Sequence, residues 1–310
     1  MKRQTFLQKS ITAGALLAAN SFPFEAFAKG DAKKITILHT NDQHSRIEPF
    51  PMDGGKYQGL GGFAQRAVLI NEIRKQEKNV LLLDCGDVWQ GTPYFNMYGG
   101  ELEFKLMSEM KYDASTLGNH DFDAGIEGFV KQLPLASFPF LNCNYNFTGT
   151  AMEGKIKAYK IFVLDGVRIG VFGVGIELQG LVPKSLCEGI KYNSPIENAN
   201  KIAKELKFEH GCDLVICLSH LGYKYDEKKV SDVDLAYQSS NIDLILGGHT
   251  HTFFNKPEEF RNTDGAKVLV NQVGWAGIYL GRLDFYLEKK KKGVLIPDSP
   301  ALITKQGRTG

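Results

Sequence analysis

Short runs rich in Val, Ile and Leu alternate along this chain with segments of helical period, and that alternation admits few folds. Ile35 to Thr40, Val80 to Cys85, Ala114 to Leu117 and Phe138 to Cys143 read as strands, with helices over Phe63 to Glu77, Leu102 to Met110 and Gly125 to Leu133 between them. Tyr159 to Leu164 and Val167 to Val174 flank Asp165-Gly166, a pair that tolerates positive φ and predicts a two-residue hairpin turn, so the sheet must be mixed. The second half repeats the theme: helices over Ile196 to Glu209 and Val230 to Ser239, strands at Leu214 to Leu218 and Ile242 to Leu246, and closing strands at Val268 to Gln272 and Ile278 to Leu287. The duplicated layout predicts an α/β fold, a four-layer α-β-β-α sandwich of two mixed sheets flanked by helices. No linker or low-complexity segment divides it, and Lys289 to Lys292 reads as a solvated turn.

Composition narrows the function classes. With 310 residues, 43% hydrophobic and 11% aromatic, the chain suits one large α/β domain or two small ones. Its amino end reads as an export signal: basic Lys2-Arg3, an apolar stretch from Ile11 through Ala19, and Ala26-Phe27-Ala28 as a cleavage site, against the competing reading of an ordinary amphipathic helix. Removing residues 1–28 takes Lys2, Arg3, Lys9 and Glu25 from a net charge of +2 and leaves none, which argues against general attraction to nucleic acid or anionic membrane. No second apolar run reaches spanning length, so no stable membrane insertion is expected. The expected destination is the periplasm. The export route is either the general secretory one or a twin-arginine-like one, with lysine in the first arginine position. Five cysteines, Cys85, Cys143, Cys187, Cys212 and Cys217, leave at least one unpaired within the chain, and Cys85, Cys143 and Cys217 sit in apolar runs as small hydrophobes.

Five of the seven histidines fall where a predicted strand runs out: Asp42-Gln43-His44, Gly118-Asn119-His120-Asp121, Ser219-His220 and Gly247-Gly248-His249-Thr250-His251. With Gly86-Asp87 they offer the carboxylate, amide and imidazole donors that hold hard or borderline divalent cations and leave positions open for water and substrate. Asp42 and His44, two apart on an extended segment, are expected to point to one side. A carboxylate can bridge two ions, and Asp87 is the preferred candidate over Asp84. Asp123, three residues past His120, is placed to fix the imidazole tautomer, while Asp121 is preferred as the cap of the helix beginning near Gly125. His39 reads as a hydrogen-bonded strand residue and His210 as a solvent-facing helix end.

In their order, these motifs resemble the calcineurin-like metallophosphoesterases. More narrowly, Ile37-Leu38-His39-Thr40-Asn41-Asp42-Gln43-His44, Gly86-Asp87-Val88-Trp89-Gln90-Gly91 and Gly118-Asn119-His120-Asp121-Phe122-Asp123 look like the amino-terminal catalytic domain of the 5'-nucleotidase family. The resemblance covers about Lys33 to Leu287 and makes residues 29–310 a catalytic domain. It implies two divalent metal ions (Zn, Mn, Fe or Co). Asp42, His44, Asp87 and His251 would surround one, and Asp87, Asn119, His220 and His249 the other. The ions would turn water into hydroxide for in-line attack on a phosphomonoester. His120, oriented by Asp123, would protonate the leaving oxygen, with Asn119 also touching the phosphate. Full-length relatives continue into a carboxyl-terminal domain that reads the substrate. The resemblance implies a nucleoside 5'-phosphate as substrate, with a 2',3'-cyclic phosphodiester as the alternative; either a separate chain supplies the second domain, or this domain acts alone on smaller or less selective phosphoesters. Arg46 and the loop from Phe50 to Tyr57 are local candidates for substrate contact, Arg46 alternatively pairing with Glu48.

Overall fold

The computed structural model describes residues 32–288, 291–295 and 302–303. The export signal read over residues 1–28 lies outside the described residues, as do Lys289 and Lys290 of the lysine run. The first sheet opens with β1 (Ala32–Thr40), β2 (Val80–Asp84) and β3 (Ala114–Ser115), mutually parallel. A two-stranded ribbon joins β4 (Tyr145–Asn146) to β7 (Lys191–Tyr192) around the hairpin of β5 (Tyr159–Leu164) and β6 (Val167–Gly175). The hairpin turns at Asp165 and Gly166, both at positive φ as expected. The second sheet has the order β10-β11-β9-β8-β6-β5, adding β8 (Leu214–His220), β9 (Leu244–Leu246), β10 (Glu258–Arg261) and β11 (Lys267–Asn271). The chain then returns to the first sheet, where β12 (Tyr279–Glu288) pairs antiparallel with β1 and is followed by β13 (Lys291–Leu295) and β14 (Leu302–Ile303).

The alternation of side chains along each strand sets the layers. Ile35, Ile37, Leu81 and Leu83 of the first sheet meet Ile169, Val171, Leu214, Ile216 and Leu218 of the second in a core between the two sheets. The intervening residues face outward. Leu38 and Leu82 are covered by α1 (Phe63–Gln76), α2 (Pro93–Tyr98), α3 (Glu101–Glu109) and α4 (Gly125–Gln132) through Ile70, Phe95, Phe104 and Phe129. Val215, Cys217 and Ile245 are covered by α5 (Pro195–Lys204) and α6 (Asp232–Gln238) through Ala199, Ala203, Leu235 and Ala236. The expected four-layer sandwich of mixed sheets is the architecture of the described residues. None of their helices is long and apolar enough to cross a membrane.

Three departures have local causes. The segment Phe138 to Cys143 forms isolated bridges rather than a strand, because it passes from one sheet to the other: Phe140 pairs with Ser115 and the Cys143 N–H reaches Gly173 O at 2.9 Å. The helix expected from Val230 starts at Asp232, because Ser231 caps it: its hydroxyl takes the Asp234 N–H and the Asp234 carboxylate accepts the Ser231 N–H. The helix expected to Glu209 leaves α geometry at Glu205 for a π turn, an extra residue that hydrophobic period does not register. His210 ends the helix partly exposed, as expected, and also meets Tyr159 Oη at 2.8 Å and Glu205 at 3.5 Å.

Because Ile37 is fully buried between the sheets, Ile37→Ala is expected to lower unfolding free energy by about 2–5 kcal/mol with the urea m-value unchanged. A loss below about 1 kcal/mol would show that the two sheets close up over the cavity.

Candidate metal centre

The parallel strands of both sheets deliver their carboxyl ends to one edge of the sandwich, and the expected residues are gathered there. Two groups of donors stand ready to hold a cation: Asp42 with His44 and His251, and Asp87 with His220 and His249, the ligand atoms of each lying within 4.8 Å of one another. The groups adjoin. Asp87 Oδ2 is 3.1 Å from His220 Nε2 in one and 3.9 Å from His44 Nε2 in the other. Its second oxygen, Oδ1, is taken by the His120 N–H at 2.8 Å. Asp84 is turned away, accepting hydrogen bonds from Thr40, Gln43, Ser115 and the Gly86 N–H.

The backbone that presents these donors is not the extended one expected for Asp42 and His44. They lie at φ 50° and 48°, and Asp87, His249 and His251 at 54°, 70° and 52°, all in the left-handed region. A single non-glycine residue there is strained by about 1–3 kcal/mol, so the turns must be held from outside. They are held by one another. The Asp42 N–H reaches Gly86 O at 2.9 Å, the His44 N–H reaches Asp87 O at 3.0 Å, and the His249 N–H donates to Asp42 Oδ2 at 2.9 Å. Two glycines permit the approach: a Cβ on Gly118 would stand 2.1 Å from Asp87 Oδ1, and one on Gly248 2.9 Å from His220 Nδ1.

Tautomers follow from the same packing. His220 Nδ1 donates to Cys85 O at 2.6 Å, and His44 Nδ1 to Gln90 O at 3.1 Å, which leaves Nε2 of each ring facing the centre. Burial pushes His249 down to about 4, and neighbouring His220 adds to this, so its ring is neutral and able to ligate. Burial opposes charge on both Asp87 and His220, but their mutual attraction outweighs it. Asp87, also beside His44 and His120, is held well below the usual carboxylate range, and His220, facing Asp87 and Asp42, is lifted to about 10. Asn119 Oδ1 is buried without a hydrogen-bond partner among the described residues. Such an orphan fits a cation in the group built on Asp87.

His120 Nδ1 meets Asp123 Oδ2 at 2.8 Å, the spacing expected of an orienting pair, and the bond lifts its pKa against the effect of burial. Among the described residues Arg46 makes no ion pair with Glu48; its guanidinium lies 4.2 Å from the centroid of Phe50. Asp121 does not cap α4, whose cap residue is Ala124 with no side-chain bond. Instead its buried carboxylate accepts the N–H groups of Gly118, Asp87 and Val88 at 2.8, 3.0 and 3.0 Å and clamps two loops together. Burial, with Asp87 close by, raises it to about 7. His39 is buried and hydrogen-bonded to Asn271 at 2.8 Å, linking the two sheets as a strand residue. All five cysteines are free.

Several contributors carry no chemical motif. Gln272 donates to Gly248 O at 2.6 Å and accepts from the Thr250 hydroxyl at 3.1 Å, shaping the turn that carries both histidines. Trp275 stacks on His251 with centroids 5.6 Å apart and planes 6° from parallel. Asn41 ties Asp42 Oδ2 to Gly274 O. A polar residue one position from an Asp-x-His was the available signal for Asn41; Gln272 and Trp275 are neighbours only in space.

Removing the Asp121 clamp leaves three buried N–H groups unpaired at once. Asp121→Ala is expected to destabilise by at least about 3 kcal/mol in urea titration and to lose bound metal to a chelator faster than the native protein. Unchanged metal retention would show that the turns hold themselves.

The sequence model of the calcineurin-like phosphoesterase family matches residues 35–253. A snake venom 5'-nucleotidase of Crotalus adamanteus is 33% identical over 292 residues, which is 88% of this chain and 48% of that protein. The chain spans about half the length of the curated relatives it matches. Among solved structures, the 5'-nucleotidase precursor of Thermus thermophilus superimposes with a TM-score of 0.79 at 30% identity, over 88% of this chain and 55% of that one. The calcineurin-like phosphoesterase YfkN of Bacillus subtilis gives 0.68 at 27% identity, over 88% of this chain and 91% of that one. The family match runs from the first strand to just past His251 and so takes in every donor described above; the chain belongs to the calcineurin-like phosphoesterase family.

Proposed function

We propose that this protein is an exported hydrolase of phosphomonoesters, nucleoside 5'-phosphates foremost, working with two divalent cations in the periplasm. The observation that carries the reading is the Asp87 carboxylate, whose Oδ2 faces His220 of one donor group at 3.1 Å and His44 of the other at 3.9 Å, beside a His120–Asp123 pair that neither group needs to hold a cation. Asp42, His44, Asp87 and His251 would hold one cation and Asp87, Asn119, His220 and His249 the other. When bound, such ions polarise a phosphoryl oxygen and acidify water to near neutrality.

The chain's own groups do the rest. Asp123 engages His120 Nδ1, so Nε2 is the nitrogen that carries the proton for the departing alkoxide, and the same bond raises the pKa of the ring. The Asn119 amide lies at the same strand end and would steady the phosphate. Arg46, beside Phe50 at the rim, is the local candidate for contact with the leaving group. The relatives named 5'-nucleotidase support a nucleotide substrate, and a 2',3'-cyclic nucleotide is the alternative. A separate chain that contributes to substrate recognition belongs to the same proposal.

Hydrolysis of nitrophenyl phosphate should vanish in chelator and return with manganese or zinc; no recovery with any divalent ion would sink the proposal. Initial rates on AMP should exceed those on 2',3'-cyclic AMP, and adding any co-purifying chain should lower KM rather than raise kcat. His120→Ala should lower kcat by roughly 10²–10⁴ with metal content intact. Since the Asp123 bond raises the His120 pKa, the acid form is lost as pH climbs through that raised value. Asp123→Asn should therefore bring the alkaline limb of kcat/KM to lower pH, and an unmoved limb would take Asp123 out of the mechanism.

A further inference from the structure

A buried cation lies beneath the first donor group, outside the chemistry described above. Arg66, in the first turn of α1, is fully buried, with its guanidinium 4.2 Å from the Phe63 ring. Its Nη2 donates to Gln43 Oε1 at 2.5 Å, and Gln43 Nε2 donates in turn to Asp84 Oδ2 at 2.7 Å. Asp84 is equally buried and also takes the hydroxyls of Thr40 at 2.6 Å and Ser115 at 3.0 Å. A positive and a negative charge thus face each other through one primary amide. The amide has a single workable orientation, because turning it round would set its NH₂ against a guanidinium and its carbonyl against a carboxylate.

Gln43 sits between Asp42 and His44. With Ser45 they make three non-glycine residues at positive φ, 50°, 48° and 50°, within four consecutive positions. Such a turn persists only where its surroundings over-determine it. Gln43 is the member whose side chain is anchored downward, into the sheet, while its carbonyl accepts the Arg46 N–H at 3.0 Å and closes the turn.

We propose that Arg66 and Gln43 are positioning residues: the oriented Arg66–Gln43–Asp84 chain holds the turn in which Asp42 and His44 present their donor atoms, and so sets the affinity and geometry of the cation they share with His251. This rests on reading those three residues as ligands.

The test is titration of chelator-stripped protein with manganese by calorimetry and with cobalt(II) by visible absorption, alongside steady-state kinetics and melting of the metal-free form. Gln43→Leu and Arg66→Met are expected to weaken one of the two cations by about tenfold to a hundredfold, to shift the cobalt spectrum, and to lower kcat with little change in KM. The double variant Gln43→Glu with Asp84→Asn keeps the charge total and reverses only where the carboxylate sits. The Thr40 hydroxyl, 2.9 Å from Tyr112 Oη, can turn to suit it. It is expected to recover most of the affinity that Gln43→Glu alone loses. Variants that melt earlier yet keep both affinities would overturn the proposal, as would a double variant no better than the single one. Should Gln43→Leu not fold, Arg66→Met and the double variant decide the matter. A native protein that binds neither metal would instead fell the ligand reading, and this inference with it.

Discussion

The left-handed turn at the end of a parallel strand is the constraint on which the rest of this structure depends. Asp42, His44, Asp87, His249 and His251 all occupy it, and none could face the centre by continuing its strand, since an extended chain would carry it past the sheet edge into solvent. Holding five such residues takes contacts that no single loop supplies. The loops after β1, β2 and β9 are therefore laced through one another's main-chain groups, with the Asp42 N–H on Gly86 O, the His44 N–H on Asp87 O and the His249 N–H on the Asp42 carboxylate. Strain and lacing are two sides of one arrangement, which aims the donor atoms at one edge of the sandwich.

Charge imposes the second layer of order. Asp42, Asp84, Asp87, Asp121 and Asp232 are all buried around one edge of the sandwich, a density of carboxylates that would repel itself if every member were ionised and unpaired. The structure divides them by surroundings. Asp87, among three imidazoles, is held well below the usual carboxylate range, whereas burial lifts Asp84 to about 6 and Asp121 and Asp232 to about 7; hydroxyls, main-chain N–H groups and the Gln43 amide bond Asp84 and Asp121, and the Ser219 hydroxyl bonds one oxygen of Asp232. Five acids of one kind thus separate into those that face the centre and those that fasten the loops beneath it.

Much of this was legible in the residues themselves. Strand and helix order followed from period and length, because β1, β2, β8 and β9 are apolar on both faces and their helices on one. The donors were legible because Asp, Asn and His beside glycine at a strand end have few other uses. Asp121 was misread as a helix cap, since an Asp four residues before a helix has the same local spacing whether it caps that helix or reaches across to Asp87 and Val88. The π turn at Glu205 was not legible, because it adds one residue that periodicity does not count.

Sequence alone determined the fold class, through the alternation of strand and helix periods along the chain, and the His120–Asp123 pair, through spacing within one segment. Only the tertiary structure decided that the donors form two adjoining groups, that His44 and His220 present Nε2, that Asp87 turns one oxygen toward both of those rings, and that Arg66 reaches Gln43. Each of those depends on which loop meets which across the two sheets, through residues separated by 23 to 207 positions. No short-range pattern encodes such meetings, because packing chooses them after the strands have formed.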